Sequence, residues 1–173
     1  RGGLALNGAP AGSGVANSPT AVPALLAVPP ALVPLAALEE DELLASSMTG
    51  EAGRLFLDGL SHLRTGQFGD SLAALQEALA LGYNQPWYPN VLFWIGVANE
   101  GLVDNRSALR AYHELSSRYP KSSRTPLTLL RQGSVLVRLS DSSTARLTFE
   151  KLVAQYPQTT EAEIARKRLK DFR

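Results

Sequence analysis

The sequence contains no cysteine and only two histidines. Without cysteine there are no disulfides, no thiolate metal sites and no cysteine nucleophile. His62 has Asp58 one helical turn before it, but neither this pair nor His113 has a third ligand at a useful spacing. A surface hydrogen bond is the simpler interpretation of the pair. We therefore expect no metal ion and no cofactor.

Signatures of catalysis and of nucleic-acid binding are also missing. No serine lies in a nucleophile elbow, and no glycine-rich phosphate loop follows a strand. No segment shows the sustained alternation of a strand. The basic residues of the second half lack the interleaved aromatics typical of nucleic-acid interfaces. We expect neither an enzyme nor a nucleic-acid-binding protein.

Charge is unevenly distributed, although the net charge is only +1. Residues 39–104 carry ten acidic and two basic side chains, a balance of −8, whereas residues 105–173 carry six acidic and fourteen basic side chains, a balance of +8. In an elongated fold this difference predicts two oppositely charged ends. Solvated faces that differ by chance are the alternative. We predict that the basic half contacts an anionic surface, either an acidic protein or lipid headgroups.

An uninterrupted apolar run long enough for a membrane-spanning helix is absent. The longest apolar stretch, residues 19–38, is broken by four internal prolines, which remove backbone donors and clash with preceding turns. Residue 1 is Arg rather than Met, so we expect a processed or truncated chain with room for an upstream signal or anchor.

Residues 1–38 are mostly Ala, Pro, Gly, Leu and Val, with Arg1 as the only charge. This composition favours extended or polyproline II backbone. We predict an extended arm that orders only when an apolar surface covers it, either the chain's own repeats or, as we favour, a neighbouring protein. The predicted arm contacts are Leu25, Leu26, Val28, Leu32, Val33 and Leu35.

Residues 39–173 have apolar residues three and four positions apart, which is typical of α-helices. We predict an acidic leading helix at about 39–46, helix pairs at about 50–64 with 69–81, 89–102 with 105–118 and 124–139 with 142–155, and a last helix at 160–172. The candidate N-caps are Thr49, Asp70, Ser123 and Thr159 or Thr160.

A 37-residue repeat runs through this part of the chain. The repeated positions are Gly59, Gly96 and Gly133, then Ser71, Ala108 and Ala145, then Leu75, Tyr112 and Phe149. A glycine inside a helix costs about 0.5–1 kcal/mol relative to alanine, so glycine at one register indicates close helix packing, with the small residue opposite and the large residue beside it. Because one pair cannot bury its apolar face alone, the pairs must stack.

The repeat resembles the tetratricopeptide repeat, which has a small residue in each helix, an aromatic one turn later and a terminal proline. Those places are held by Gly96, Ala108, Tyr112 and Pro120, and again by Gly133, Ala145, Phe149 and Pro157. With "YPKS", "YPQT" and a final "EAEIARKRL", the longer period is similar to the C-terminal domain of the Tol-Pal system protein YbgF/CpoB and to BamD-type outer-membrane lipoproteins. This resemblance implies an extracytoplasmic bacterial location.

The predicted fold is all-α: a tetratricopeptide-like right-handed solenoid of three helix pairs with a C-terminal capping helix, preceded by the arm. We place the arm at 1–38 and the repeat domain at 39–173, with repeats at about 50–86, 87–123 and 124–160 and the cap at 160–172.

In the family that the repeat resembles, the first helix of each pair lines a concave groove. The predicted protein-binding residues on that groove are Phe56, Leu60, Leu63, Asn90, Phe93, Val97, Leu127, Leu130, Ser134 and Val137. Monomeric proteins avoid large open apolar patches, so some of these must be core and the rest need a cover. Trp87 and Tyr88 are candidate exposed anchors, whereas Trp94 is expected in the core.

These observations predict a non-enzymatic protein–protein interaction scaffold at the bacterial cell envelope, binding partners through the groove and the arm. The alternative is a structural accessory subunit of a large membrane-bound complex, with the arm along a partner subunit. A scaffold would be separable, whereas a subunit would co-purify stoichiometrically. We expect the protein to be periplasmic or membrane-associated on the extracytoplasmic side.

Overall fold

The computed structural model describes residues 32–172 of the chain, and all regular structure in this range is helical. The elements are α1 (Leu35–Ser47), α2 (Glu51–Arg64), α3 (Phe68–Ala80), α4 (Tyr88–Gly101), α5 (Asn105–Arg118), α6 (Thr125–Arg138), α7 (Ser142–Gln155), α8 (Thr160–Leu169) and a short 3₁₀ turn (Lys170–Phe172). Each helix packs chiefly against the next one along the chain. The predicted all-α, tetratricopeptide-like solenoid is confirmed.

The two helices of each pair are joined by three-residue turns at 65–67, 102–104 and 139–141. In each turn the middle residue has a left-handed backbone: Gly66 at φ +76°, Val103 at +62° and Ser140 at +61°. The residue after it donates its N–H to a carbonyl five positions back, as Asp104 does to Asn99 over 2.9 Å. This Schellman closure reverses the chain and sets the second helix against the first.

The repeated glycines are places of close helix packing, as predicted, and Ser71 Oγ donates to the Gly59 carbonyl over 2.8 Å, so a small residue lies opposite the first glycine. A Cβ added at Gly96 would lie 2.1 Å from Cε1 of Tyr112, and one at Gly133 would lie 2.3 Å from Cε1 of Phe149. The large aromatic of the second helix therefore fills the space beside each of these two glycines, as predicted. Both rings are fully buried.

Some predicted boundaries need correction. Helix α1 begins at Leu35, inside the segment predicted as an extended arm, because proline is tolerated directly before a helix and excludes only the helix interior. Thr159 caps α8 as predicted, its side chain accepting the N–H of Ala162. The other candidate caps are wrong. The N-caps there are Gly50, Gln67 and Arg124, and the side-chain caps that the prediction missed are Asp104 and Asp141.

The buried apolar residues form two clusters. The larger one extends from α1 through α5 to Val135 of α6, with Trp94, Phe93 and Tyr112 among its largest members. The smaller one joins α6, α7 and α8 around Phe149 and Leu152. Helix α4 is the centre of the larger cluster, since twelve of its residues are buried. This buried helix also carries part of the candidate functional site.

Candidate functional site: the face of the first helices

The first helices of the three pairs, α2, α4 and α6, were predicted to present an open binding stripe. Five of the predicted residues are instead core side chains, each at most 1% exposed: Phe56, Leu60, Leu63, Phe93 and Val97. The prediction needs correction there, since a partner cannot reach these side chains in this conformation. The helix spacing that marks a groove-facing stripe marks a core-facing stripe equally well.

The other predicted residues of the stripe are more accessible. Leu127, Leu130, Asn90 and Ser134 are partly buried, and Val137 is 42% exposed. Ser134 is also occupied within its own helix, since its hydroxyl donates to the Leu130 carbonyl over 2.9 Å. The accessible part of the predicted stripe therefore lies mainly on α6.

The two predicted aromatic anchors also need correction. Tyr88 is buried, with its ring centroid 5.8 Å from that of Tyr119. Trp87 is half-buried and lies against Gly82, where an added Cβ would be 2.1 Å from the indole ring. Trp94 is fully buried, as predicted. The linker aromatics therefore fill the junction between repeats rather than point toward a partner.

Helix α1 packs against α2 and reaches α4 and the start of α6 through its polar side chains. Its Asp41, 2% exposed, accepts hydrogen bonds from two side chains of α4: Asn90 Nδ2 at 2.9 Å and Trp94 Nε1 at 2.6 Å. Asn90 and Trp94 are four residues apart, so both point to the same side of α4. We call the surface that carries Arg64, Asn90, Trp94, Arg124 and Arg131 the first-helix face.

Arg124, at the start of α6, completes the binding of Asp41. Its guanidinium donates to Asp41 Oδ2 from Nε at 3.1 Å and to Oδ1 from Nη2 at 3.0 Å, which is the bidentate geometry of an arginine–carboxylate pair. The same Nη2 reaches Glu40 Oε2 at 2.9 Å and the Ala37 carbonyl at 3.1 Å. Burial lowers the pKa of Arg124, but its hydrogen bond and attraction to Asp41 outweigh this and raise the pKa overall.

Both ends of the N-terminal segment are held in the same way. Arg64 of α2 makes a bidentate pair with Glu42, at 3.0 and 2.7 Å, and this hydrogen bond raises the pKa of the arginine. Arg131 of α6 donates from Nη2 to the Leu32 carbonyl at 2.7 Å. Residues 32–47 therefore bind α2, α4 and α6, one helix from each pair, and the cover of the first-helix face is the chain's own segment.

A second buried polar cluster joins the second and third repeats. Glu100 on α4 accepts from Tyr112 Oη at 2.7 Å and Arg131 Nε at 2.9 Å through one oxygen, and from Arg138 through the other. Burial raises the pKa of the Tyr112 phenol well above its ordinary value. Every buried side-chain nitrogen and oxygen in the described part of the chain has a partner, so this cluster is fully satisfied and fixes how the repeats stack.

The predicted arm contacts lie in different places. Leu25, Leu26 and Val28 lie outside the described residues. Leu32 and Val33 are partly buried and pack against the larger core cluster of the chain itself. Leu35 was predicted as an arm contact, but it is 57% exposed at the start of α1, so this prediction is wrong. The described end of the predicted arm therefore docks on its own repeats.

The charge difference between the two halves is used inside the molecule. Three arginines of the basic half, Arg124, Arg131 and Arg138, pair with Glu40, Asp41 and Glu100 of the acidic half. The sequence contained a signal for this, since the acidic run 39–42 and the arginines of α6 are complementary. Their separation, 83 residues between Asp41 and Arg124, prevented us from predicting the pairing.

The described residues contain no cluster of three or more possible metal ligands. His62 Nδ1 lies 2.7 Å from Gln67 Oε1, so its hydrogen-bond partner is this amide and not Asp58 as interpreted. No helix within residues 32–172 combines the length and the apolar composition that crossing a membrane requires. The site can therefore bind a helix through its arginine side chains and the Trp94 indole N–H.

The class of protein follows from this geometry and from a family comparison. Residues 90–122 and 127–159 match the tetratricopeptide repeat family. The matched ranges cover α4 with α5 and α6 with α7, the pairs with the clearest glycine and aromatic register. These two segments are similar to tetratricopeptide repeats, a fold that generally mediates protein–protein interaction. A comparison with curated proteins found no match to this chain.

Proposed function

We propose that this protein is a non-enzymatic scaffold that binds other proteins at the bacterial cell envelope. The observation that carries the proposal is the pair of consecutive tetratricopeptide repeats, which stack with a third helix pair into one solenoid. The envelope location is supported by the resemblance of the longer repeat and its terminal helix to YbgF/CpoB and BamD-type proteins. On this proposal the protein is extracytoplasmic, either periplasmic or membrane-associated.

The surfaces proposed for partner binding are the first-helix face and the separate exposed margin of α6 that carries Val137. Val137 is 42% exposed on that margin, whereas Leu147 is 64% exposed on α7, a second helix. Both residues are aliphatic and accessible, but Val137 lies on the first helix of the pair and Leu147 on the second. They therefore form a matched pair of positions for probing contact.

Site-specific photocrosslinking of the full chain in its own cells tests this proposal. A photoreactive amino acid at Val137 should give a discrete crosslinked protein, and the same amino acid at Leu147 should not. Fractionation of the same cells should release the chain with periplasmic or envelope material. Absence of crosslinks at Val137, or recovery in the cytosolic fraction, would contradict the proposal.

The same cells distinguish a scaffold from an accessory subunit of a membrane complex. After mild detergent extraction and affinity purification, a scaffold should be recovered with substoichiometric partners. A fixed ratio to one complex through successive columns would instead establish the accessory-subunit function.

A further inference from the structure

Helix α1 is bound to the first-helix face mainly through charges. Its fully buried apolar residues are Leu38, Ala37 and Ala45, and Leu32, Val33, Leu44 and Met48 in or beside the helix are partly buried against the larger cluster. By contrast, all four consecutive acids at 39–42 lie on this one helix, which contains no basic residue. Apolar burial stabilises the packing of the segment on the core. The contacts of α1 with Asn90, Trp94 and Arg124 are instead polar and charged.

The ion pairs that hold α1 are specific but weak in net terms. Asp41 and Arg124 are both less than 10% exposed, at 2% and 7%, so forming their pair removes two charges from water. The cost of removing the two charges from water offsets much of their attraction. If the two groups separate together, both regain their hydration. Glu42 and Arg64 are more exposed, at 27% and 44%, and salt screens such pairs.

The two ends of helix α1 have no charge that complements the helix dipole, and no side chain caps its N-terminus. Its first turn has no acidic residue and its last turn has no basic residue. Three residues, 48–50, connect it to α2, and the last of these, Gly50, has φ +84° with open space around its Cβ position. Release of α1 therefore requires rotation at this connection and leaves the repeat pairs intact.

From these contacts we infer that α1 is an exchangeable internal ligand, which occupies the first-helix face until an acidic helix of a partner protein displaces it. The partner helix would carry a leucine three residues before an aspartate, as Leu38 and Asp41 do. The aspartate binds Asn90, Trp94 and Arg124, and a further acid binds Arg64. This inference rests on the proposed function and specifies the chemistry of the partner.

A foreign helix fits this site better than the α1 of a second copy. Three extended residues span about 10 Å, so a released α1 stays beside its own repeats. The face left behind carries Arg64, Arg124 and the Trp94 indole N–H, while Arg131 keeps its ion pair with Glu100. Such a surface is complementary to an acidic helix and repels a basic one.

A synthetic peptide of residues 35–47 serves as the probe, added to the full chain and followed by fluorescence anisotropy. The variant Asp41→Lys places a positive charge against Arg124 and should release α1 without altering the receptor face. Glu39→Lys makes the same charge change at an exposed position of the same helix and is the matched control. The peptide should bind Asp41→Lys at least about tenfold more tightly than wild type or Glu39→Lys, because a docked α1 lowers the competent fraction.

A peptide carrying its own Asp41→Lys change should not bind. Equal affinity for all three chains, or no binding to a folded Asp41→Lys chain, would overturn the inference. A wild-type dimer in light scattering that Asp41→Lys dissolves would show that a second copy is the occupant, which also overturns it. The peptide assay contains no cellular protein. Peptide exchange in that assay without crosslinks at Val137 in cells would therefore refute the proposed scaffold function and leave the inferred exchange of α1 standing.

Hydrogen exchange on the wild-type chain gives a second measurement that needs no variant. Amides of α1 should exchange at least about tenfold faster than those of α4 through local opening, and the ratio should rise with salt. Equal protection of the two helices at every salt concentration would show that α1 is a permanent part of the core.

Discussion

At the scale of single residues, the three repeated glycines illustrate how a missing side chain specifies packing. The space beside each glycine is taken by the large residue of the second helix, so a new methyl group would meet a ring or a leucine side chain. Gly69 differs, because it lies in α3 with no atom within 4 Å of its Cβ position. Gly69 therefore has only the intrinsic free-energy cost of a glycine in a helix.

We expect Gly96→Ala to destabilise the protein by about 1–3 kcal/mol, because the added methyl overlaps the buried Tyr112 ring and forces it to move. In Gly69→Ala the methyl meets nothing, so this control should be neutral or stabilising by up to about 1 kcal/mol. Urea unfolding of both variants measures the difference. Equal stability of the two would contradict the assigned packing.

Tyr112 should make the stability of the protein depend on alkaline pH. Its ordinary pKa is 10.0 and burial raises the pKa in the folded state, so above pH 10 the unfolded chain releases a proton that the folded chain retains. The stability from this group is therefore present below pH 10 and is lost as pH rises toward the folded pKa.

Tyr112→Phe should cost about 1 kcal/mol at neutral pH, since the hydroxyl donates to Glu100. It should also make the alkaline decline in stability shallower than in wild type. Tyr83→Phe, at a tyrosine that is 67% exposed, provides the comparison and should leave the slope unchanged. The readout is the urea midpoint between pH 8 and 10.5, and parallel slopes in all three proteins would disprove the prediction.

At the scale of elements, α8 closes the smaller cluster with two buried alanines, Ala162 and Ala165. Its start depends on one side chain, since Thr159 Oγ1 accepts the N–H of Ala162 at 3.2 Å and donates to the Tyr156 carbonyl at 2.8 Å. The adjacent Thr160 is the first residue of the helix and is exposed.

Thr159→Ala should destabilise the protein by about 1 kcal/mol through loss of the N-cap, whereas Thr160→Ala should have little effect. Thermal unfolding of the two single variants separates capping from the general effect of removing a threonine. A larger loss for Thr160→Ala would show that the cap is assigned to the wrong residue.

At the scale of the whole molecule, internal ion pairs consume part of the basic charge of the second half. The basic side chains of α8 and the turn after it, Arg166, Lys167, Arg168 and Lys170, are exposed and define what we call the basic end. Exposed basic side chains attract an anionic surface over about 8–10 Å at physiological salt. The proposed contact with acidic protein or lipid headgroups therefore falls on this end.

The double variant Lys167→Glu with Arg168→Glu should weaken association with vesicles containing anionic phospholipid, and the wild-type association should fall as salt rises. Arg54→Glu changes an exposed arginine of the acidic half and should have a smaller effect. Flotation of vesicles with bound protein measures all three chains. Association that is independent of salt would count against an electrostatic contact.

The local pattern of the sequence determined much of the helical fold of this protein. The three- and four-residue spacing of apolar residues predicted the helices, and the 37-residue register of Gly96 with Gly133 predicted the pairs, because these signals act between neighbours in the chain. The covering of the first-helix face was decided only by tertiary structure. Asp41 meets Arg124 across 83 residues, and nothing local indicates that α1 binds side chains of α4 and the start of α6. The same apolar spacing serves an open groove and a covered core, so only the packed fold determined which side chains a partner can reach.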